Sequence, residues 1–237
     1  MDWREKDGVR WLQADLDGAG AAFSTRLGGV SEAPFDSLNL GLLTDDDAES
    51  VGENRRRLAA ALEFEAEQVA FARQVHGTRL IEHPRDGGVE EADGHVIREP
   101  GLAALVFTAD CLPVAVAGPG GMAMLHAGWR GLAGGILAAG VKAVGATSAA
   151  IGPGIGLCCY EVGEEVLESF SDLGEGVAEG RMLDLAEVAR RQLAQAGVER
   201  VESAGLCTSC EAELFFSHRR DEGRTGRQGG VGWVEAE

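Results

Sequence analysis

Residues 102–131 read LAALVFTADCLPVAVAGPGGMAMLHAGWRG, and this stretch decides the fold. Two apolar runs, 114–117 and 122–125, flank the glycine- and proline-rich segment 118–121. Short apolar runs separated by such a segment are typical of an antiparallel β-hairpin with a loop of about three or four residues. The sequence therefore predicts two paired strands in the middle of the chain.

The open end of this hairpin brings two reactive side chains together. With the loop centred near Pro119, Cys111 or the residue after it lies opposite His126, with about 5 to 7 Å between Cα atoms. Taken alone, Cys111 would be a buried small apolar residue and His126 a hydrogen-bonded core histidine. His76, in RQVHG, stands at another strand-to-turn junction. Polar, metal-competent groups at strand ends favour a functional site over core packing.

The bulk properties favour a globular protein whose residues 1–237 are enough for one large domain, although two domains are possible. The chain is 45% hydrophobic and has a formal net charge of −18, spread along its length. That charge argues against a nucleic-acid or anionic-membrane partner, because both need a basic surface. No secretory signal pattern is present, and no apolar run approaches the ~18 residues of a membrane span. We expect a cytoplasmic protein.

Short strands alternate with three or four helices along the remaining sequence, which predicts an α+β fold with a mixed sheet or two sheets and helices outside. Asn54 and Arg55 are expected on the solvated face of the first helix, and His83 and His95, among charged residues, at the surface. Periodicity and capping signals predict helices over 45–64, 132–146, 164–170 and 183–198, a hairpin within 1–22 and a strand over 68–72.

Five cysteines are an odd number, so they cannot all pair within the chain. CTSC, Cys207–Cys210, has the spacing of a zinc ribbon, and only the adjacent Cys158 and Cys159 could complete such a site. Because neighbouring side chains do not usually converge on one ion, we expect a structural role for these four cysteines rather than a zinc site.

Two polar segments each have two interpretations. The loop-rich segment Phe23–Gly41 is either functional or an ordinary surface loop. The segment 219–227 has a local charge excess of plus two within an acidic chain. It is either an anion-binding edge or a turn with solvated charges. Its arginines are Arg219, Arg220, Arg224 and Arg227.

The motifs STRLGGVS, SLNLG, ENRRRL, RQVHG, TADCLPV, HAGWRG, IGPGIGLCCYEVG and FFSHRRD occur in this order. Together they resemble the YfiH-like purine nucleoside phosphorylase family, long labelled multicopper polyphenol oxidase or laccase-domain proteins. The resemblance implies a single-domain sandwich of mixed β-sheets flanked by α-helices, similar to the catalytic domain of a deamidating toxin. The sequence departs from the family pattern at Gly154, often cysteine, and at His218, often tyrosine.

The resemblance also implies a zinc site formed by His76, Cys111 and His126, with copper as the alternative metal. It implies phosphorolysis of adenosine, inosine, guanosine or methylthioadenosine, together with deamination of adenosine. The partners are then purine nucleosides and phosphate, bound by a chain that we expect to be a monomer. The residues expected to hold substrate or phosphate are Ser24, Arg26, Asn39 and Arg130.

The residues by themselves leave several functions open. Two imidazoles and one thiolate leave a fourth position on tetrahedral zinc, as in a catalytic site. The same hairpin geometry suits a cysteine-dependent hydrolase or deamidase with Cys111 as nucleophile and His126 as base. A copper-dependent polyphenol oxidase is less favoured, because multicopper oxidation needs many histidines and the chain has five. A metal-buffering or peptidoglycan-associated protein without catalysis is the non-enzymatic alternative.

Overall fold

The computed structural model describes residues 1–83 and 90–236. It contains two six-stranded mixed sheets, stacked face to face, with helices on the outside. The α+β sandwich expected from the sequence is confirmed, whereas the likeness to a deamidating toxin and the single domain over 1–237 stay predictions. The strands are β1 (Asp2–Lys6), β2 (Val9–Leu16), β3 (Ala19–Ser24), β4 (Val69–Ala70), β5 (Leu80–His83), β6 (Gly94–Ile97), β7 (Ala103–Thr108), β8 (Leu112–Gly118), β9 (Gly121–Ala127), β10 (Ser148–Ile151), β11 (Ala178–Glu179), β12 (Met182–Leu183), β13 (Arg200–Ser203) and β14 (Gln228–Val234). The helices are α1 (Ala48–Ala61), α2 (Trp129–Gly134), α3 (Ile136–Val144), α4 (Glu164–Glu168) and α5 (Leu185–Gln195).

The first sheet has the strand order β1-β2-β3-β14-β7-β4, and the second has the order β13-β10-β8-β9-β6-β5. Most neighbours are antiparallel, but β4 runs parallel to β7, β5 to β6 and β10 to β13. Helix α1 packs on the outer face of the first sheet, and α3 and α5 pack on the outer face of the second. The fold therefore has four layers.

Small residues let the two sheets approach. A Cβ atom on Gly232 of β14 would lie 2.1 Å from the Met122 side chain, and one on Gly230 would lie 2.4 Å from Met124. Both methionines belong to β9 and are fully buried. Because methionine is unbranched and adaptable, it fills the space that the glycines leave. The hairpin of the second sheet is thereby packed directly against β14 of the first.

The predicted helices are confirmed, except that the one predicted over 132–146 is split between two helices. The Asp47 side chain accepts a hydrogen bond from the Ser50 amide at the start of α1, and Asp184 accepts one from the Glu187 amide at the start of α5. The helix predicted over 132–146 is interrupted at Gly135, whose φ of 88° is left-handed. Such a φ is favourable only for glycine, so α2 and α3 are separate helices.

The hairpin is confirmed, but its predicted register is wrong by one residue. Gly118 pairs with Gly121, so the loop is the dipeptide Pro119-Gly120, and Pro113 lies opposite His126. A loop centred between two residues shifts every pair by one position relative to a loop centred on Pro119. Cys111 consequently lies just beyond the last pair of the ladder.

Four residues expected at the surface are buried or half-buried. His83 and His95 are buried on the paired strands β5 and β6, with 3.0 Å between His83 Nε2 and His95 Nδ1. Burial lowers the pKa of His95 to about 3, so its imidazole is neutral. Asn54 is also fully buried, and Arg55 is half-buried with its guanidinium against aromatic rings. The long segment 25–47 covers this face of α1, which local periodicity does not reveal.

The helices of the described ranges 1–83 and 90–236 include none that is long and apolar enough to cross a membrane. The longest of them, α1, has 14 residues. A membrane span needs about 20 predominantly apolar residues.

Replacing Asn54 with alanine tests how α1 is attached. The Asn54 amide donates to Ser31 Oγ at 2.8 Å and to the Asn39 carbonyl at 2.9 Å, and it accepts from the Val30 amide at 2.8 Å. Because Asn54→Ala leaves buried partners unpaired, we expect the free energy of unfolding to fall by roughly 2 to 4 kcal/mol. Urea denaturation measures this change.

The exposed Arg56, on the same helix, provides the control for that measurement. It forms only an ion pair with Glu53, so Arg56→Ala should change stability by less than about 0.5 kcal/mol. Equal effects of the two substitutions would contradict the assigned role of the Asn54 amide.

Candidate metal centre

His76, Cys111 and His126 come together at the open end of the β8–β9 hairpin. Their ligand atoms all lie within 4.8 Å of one another, and the two imidazole centroids are 4.9 Å apart. His76 is exposed in the turn after β4, Cys111 is half-buried between β7 and β8, and His126 is buried in β9. This His-Cys-His group could bind one metal ion.

A carboxylate that the sequence analysis did not single out organises the group. Asp93 is fully buried, and its carboxylate accepts hydrogen bonds from the amides of Val75 (3.1 Å), His76 (2.9 Å) and Gly77 (2.7 Å). Its Oδ1 also lies 2.8 Å from His126 Nδ1. Such a bond orients the imidazole and leaves Nε2 available to a metal. One side chain thus positions both histidines.

Charges in the group favour a thiolate at Cys111. Burial of the thiol opposes its ionisation, but the charge and hydrogen bonds of His126 and His76 outweigh this effect and lower the pKa of Cys111 to about 6. Burial alone would lower the pKa of His126, yet Cys111 and Asp93 raise it to about 9. Without metal, the two groups form a thiolate–imidazolium pair, and a thiolate is the form that binds metal.

The space beside the group is kept free by Gly128 of HAGWRG. A Cβ atom on Gly128 would lie 2.9 Å from Cys111 Sγ and 3.4 Å from His76 Cδ2. The glycine also precedes α2 as its N-terminal cap residue. Two imidazoles, one thiolate, a carboxylate behind one imidazole and an unobstructed side fit a transition-metal site with an open position.

A cavity of about 680 Å³ extends from this group into the protein. A volume of that size is within the range of small-molecule sites. The cavity lining includes aromatic rings and arginines, and one arginine lies over two of the rings. The lining residues used below are Arg55, Phe71, Phe107, Tyr160, Arg219 and Arg227.

Two half-buried arginines, Arg55 and Arg227, face the cavity without a carboxylate partner among the described residues. The Arg55 guanidinium lies over the rings of Phe71 (4.3 Å) and Phe107 (4.6 Å) and donates from Nε to the Leu40 carbonyl. Burial lowers the pKa of Arg55 to about 10 and also lowers that of Arg227, but both stay charged near neutral pH. Desolvated, unpaired cations of this kind attract an anion.

The residues expected to hold substrate lie elsewhere. The Ser24 hydroxyl accepts from the Gly229 amide, and Asn39 Oδ1 accepts from the amides of Gly41 and Arg227. The guanidinium of Arg26 pairs with Asp36 at 3.2 Å, and Arg130 lies over the Trp129 ring. These four positions, all within the described chain, are outside the cavity lining, and their role in substrate binding stays a prediction.

Only some arginines of the segment 219–227 line the cavity. Arg219 and Arg227 line the cavity, whereas Arg220 forms a bidentate pair with Asp221 and donates to the Thr208 and Phe215 carbonyls. The amide of Arg219 donates to Asp110 Oδ2 at 2.7 Å. The segment therefore supports the cavity wall as well as supplying charge to it.

The four cysteines outside this centre also converge, contrary to expectation. The Sγ atoms of Cys158, Cys159, Cys207 and Cys210 all lie within 4.8 Å of one another. We expected that the side chains of adjacent cysteines would not converge on one point. Here they do, because the tight turn over 157–159 brings the sulfurs of both Cys158 and Cys159 close to that of Cys210.

Comparison with known proteins finds relatives that match nearly the whole chain. A family model described as multi-copper polyphenol oxidoreductase laccase matches residues 20–235. A purine nucleoside phosphorylase of Pseudomonas aeruginosa is 40% identical, over 95% of this chain and 98% of its own. Purine nucleoside phosphorylase YlmD of Geobacillus stearothermophilus is 39% identical, over 92% of each chain.

Two crystal structures have the same fold over nearly the whole chain. YlmD from Geobacillus stearothermophilus superposes with a TM-score of 0.89 at 37% identity, covering 98% of both chains. The Bacillus licheniformis hypothetical protein YfiH gives 0.88 at 33% identity, covering 98% of this chain and 99% of its own.

Replacing Asp93 with asparagine tests whether the carboxylate supports metal binding. Asp93→Asn keeps the volume but removes the charge opposite His126, and loss of such a partner typically weakens metal affinity by about 10- to 100-fold. Competition with a zinc chelator, followed by elemental analysis of the protein, measures the change. Unaltered affinity would exclude Asp93 as the orienting group, and Asp36→Asn, at an exposed ion pair, is the control.

Proposed function

This chain belongs to the multi-copper polyphenol oxidoreductase laccase family, as its motifs predicted, and we propose that it is a zinc-dependent purine nucleoside phosphorylase that also deaminates adenosine. The observation that carries this proposal is a single cavity with a His-Cys-His group and two arginines that lack carboxylate partners within residues 1–83 and 90–236. Its relatives named purine nucleoside phosphorylase support the proposal.

The cavity walls suit the two parts of a nucleoside reaction. The Phe71 and Phe107 rings carry the guanidinium of Arg55, which attracts phosphate together with Arg227. The apolar part of the lining, which includes Ile155, provides a surface for a purine. Burial raises the pKa of Tyr160 to about 12, so its hydroxyl stays protonated and can donate to a substrate oxygen. In phosphorolysis, a phosphate oxygen bonds to C1′ as the bond from C1′ to the base breaks, giving free base and ribose 1-phosphate.

His76, Cys111 and His126 would hold the zinc ion, with Asp93 fixing the imidazole of His126. When bound, zinc would act as a Lewis acid towards a substrate oxygen or a water molecule. Addition of water at C6 of adenosine, with loss of ammonia, gives inosine. The partial burial of Arg55 and Arg227 strengthens their interactions with anionic oxygens, because the local dielectric constant is lower than that of water.

Copper is a less favoured metal for this chain. A set of two histidines and one cysteine also occurs at copper electron-transfer sites, but multicopper oxidation needs further histidine ligands. Within the described residues, the second metal-competent group contains only cysteines. His83 and His95 contact each other in the core, away from the cavity.

The remaining expectations belong to the same proposal. A chain with a net charge of −18 is unsuited to nucleic-acid binding, which depends on basic residues. We propose a cytoplasmic monomer that acts on small molecules. Size-exclusion chromatography with light scattering tests the oligomeric state.

A cysteine-dependent hydrolase or deamidase is the second candidate, because Cys111 is a thiolate beside an imidazolium in the metal-free protein. Chelation followed by alkylation separates the two candidates. Zinc bound to Cys111 should shield the thiolate, so iodoacetamide should modify Cys111 only after the metal is removed. Since the pKa of Cys111 is lowered to about 6, alkylation of the metal-free protein should persist well below the usual thiol range, with its midpoint near pH 6.

Phosphorolysis of adenosine should stop on chelation and return when zinc is added. If activity instead survives chelation while alkylation of Cys111 abolishes it, the cysteine hydrolase is the correct function. Peptide mapping by mass spectrometry identifies the alkylated residue, and a small thiol added to a parallel reaction shows that the reagent is active.

Replacing Arg227 with glutamine tests the phosphate site. Loss of one charged hydrogen bond costs roughly 1.5 to 3 kcal/mol, so the KM for phosphate should rise by about 10- to 150-fold. Arg224→Gln makes the same charge change at an exposed position outside the cavity and should leave this KM unchanged. An unaltered KM for phosphate in Arg227→Gln would exclude Arg227 from the phosphate site. Arg26→Ala tests the earlier expectation for Arg26 in the same assay.

A further inference from the structure

Four cysteine side chains form a compact group that lies apart from the cavity. Cys158 and Cys159 lie in the turn that follows β10, and Cys207 and Cys210 lie in the turn that follows β13. All four Sγ atoms are within 4.8 Å of one another, with 3.4 Å between Cys158 and Cys210 and 3.5 Å between Cys159 and Cys210.

These distances match four ligands of one ion better than a disulfide. Zinc–sulfur bonds of about 2.3 Å in a tetrahedron place neighbouring sulfurs about 3.8 Å apart. A disulfide brings two sulfurs to about 2.05 Å and would leave the other two without a role. The Cys207–Cys210 spacing is that of zinc ribbons, and the adjacent pair supplies the other half of the set.

The backbone favours a thiolate at one of the four sulfurs and lets the two turns approach each other. The Gly156 amide donates to Cys207 Sγ at 3.2 Å, a contact that stabilises negative charge on sulfur. A Cβ atom on Gly156 would lie 3.2 Å from Cys207 Cβ and 3.4 Å from Cys158 Sγ, so glycine lets the two turns approach closely. A backbone hydrogen bond also joins the two cysteine-bearing segments: the Gly154 carbonyl accepts from the Thr208 amide at 3.0 Å.

We propose that Cys158, Cys159, Cys207 and Cys210 bind a second zinc ion. Four thiolates complete a tetrahedral shell and leave no position for substrate, so this site is structural. It differs from the His-Cys-His group in having no open position.

The site connects two segments that build the cavity wall. Tyr160 follows the first cysteine pair and lines the cavity. Thr208 lies between the second pair, and its hydroxyl donates to Asp110 Oδ1 at 2.7 Å, beside Cys111. A zinc ion that crosslinks the two turns therefore holds the wall next to the His-Cys-His group without taking part in the reaction.

Metal stoichiometry tests the proposal and needs no activity assay. Tag-free protein produced with zinc and dialysed against metal-free buffer should contain about two zinc ions per chain, one at each site. Cys111→Ala should retain about one, and the paired variant Cys207→Ser/Cys210→Ser should also retain about one. Cobalt substitution distinguishes the sites, because the strong absorption of four thiolate ligands should persist in Cys111→Ala and fall to that of the single thiolate Cys111 in the paired variant.

Any of the following results would overturn the proposal. One is a wild-type protein with a single zinc ion that Cys111→Ala removes. Another is a paired variant with the same zinc content as the wild type. The third is a wild-type mass, under non-reducing conditions, that is lower by the two hydrogens lost in a disulfide. If the paired variant does not fold, the wild type and Cys111→Ala still decide the question, and loss of both ions in Cys111→Ala would also count against it. Failure of nucleoside turnover with two zinc ions bound would reject the proposed function alone.

Discussion

The buried carboxylate of Asp93 is the contact on which the candidate centre depends. It accepts hydrogen bonds from three consecutive amides of the turn at 75–77 and faces the imidazole of His126. Burial would favour its neutral form, but these donors lower the pKa of Asp93 and keep it ionised. His76 adopts a positive φ of 60°, a conformation that a non-glycine residue rarely occupies without support. The hydrogen bonds from the backbone amides to Asp93 supply that support. Because Asp93 also contacts His126, it holds the turn against the hairpin.

The sequence predicts the parts of this structure that depend on neighbouring residues. The hairpin follows from two apolar runs around a glycine-rich loop, and the start of α5 follows from Asp184 with Glu187 three residues later. The choice of His76, Cys111 and His126 as ligands came from a family resemblance, since no spacing rule relates His76 to the hairpin. The structure confirms that the three meet, while the metal they bind stays a proposal.

Contacts over long distances in sequence explain what the sequence did not predict. Asp93 is an ordinary acidic residue in EEADG, and only the folded chain brings its carboxylate to residues 17 and 33 positions away. From the sequence, Arg55 resembles a solvated residue of a helix. In the fold, the segment 25–47 and the rings of Phe71 and Phe107 enclose its side chain. The aromatic cover of Arg55 is also what leaves its charge available inside an acidic protein, where an exposed arginine would be paired or screened.

The glycine at position 128 has a consequence for heritable variation in this gene. Every amino acid other than glycine has a Cβ atom, and at this position that atom would meet the sulfur of Cys111. No missense change of the glycine codon can therefore be sterically silent, even one to alanine. Among variants generated at random, those altered at codon 128 should be depleted by selection for the function of the centre rather than for folding, because α2 begins in an ordinary extended conformation that alanine can adopt.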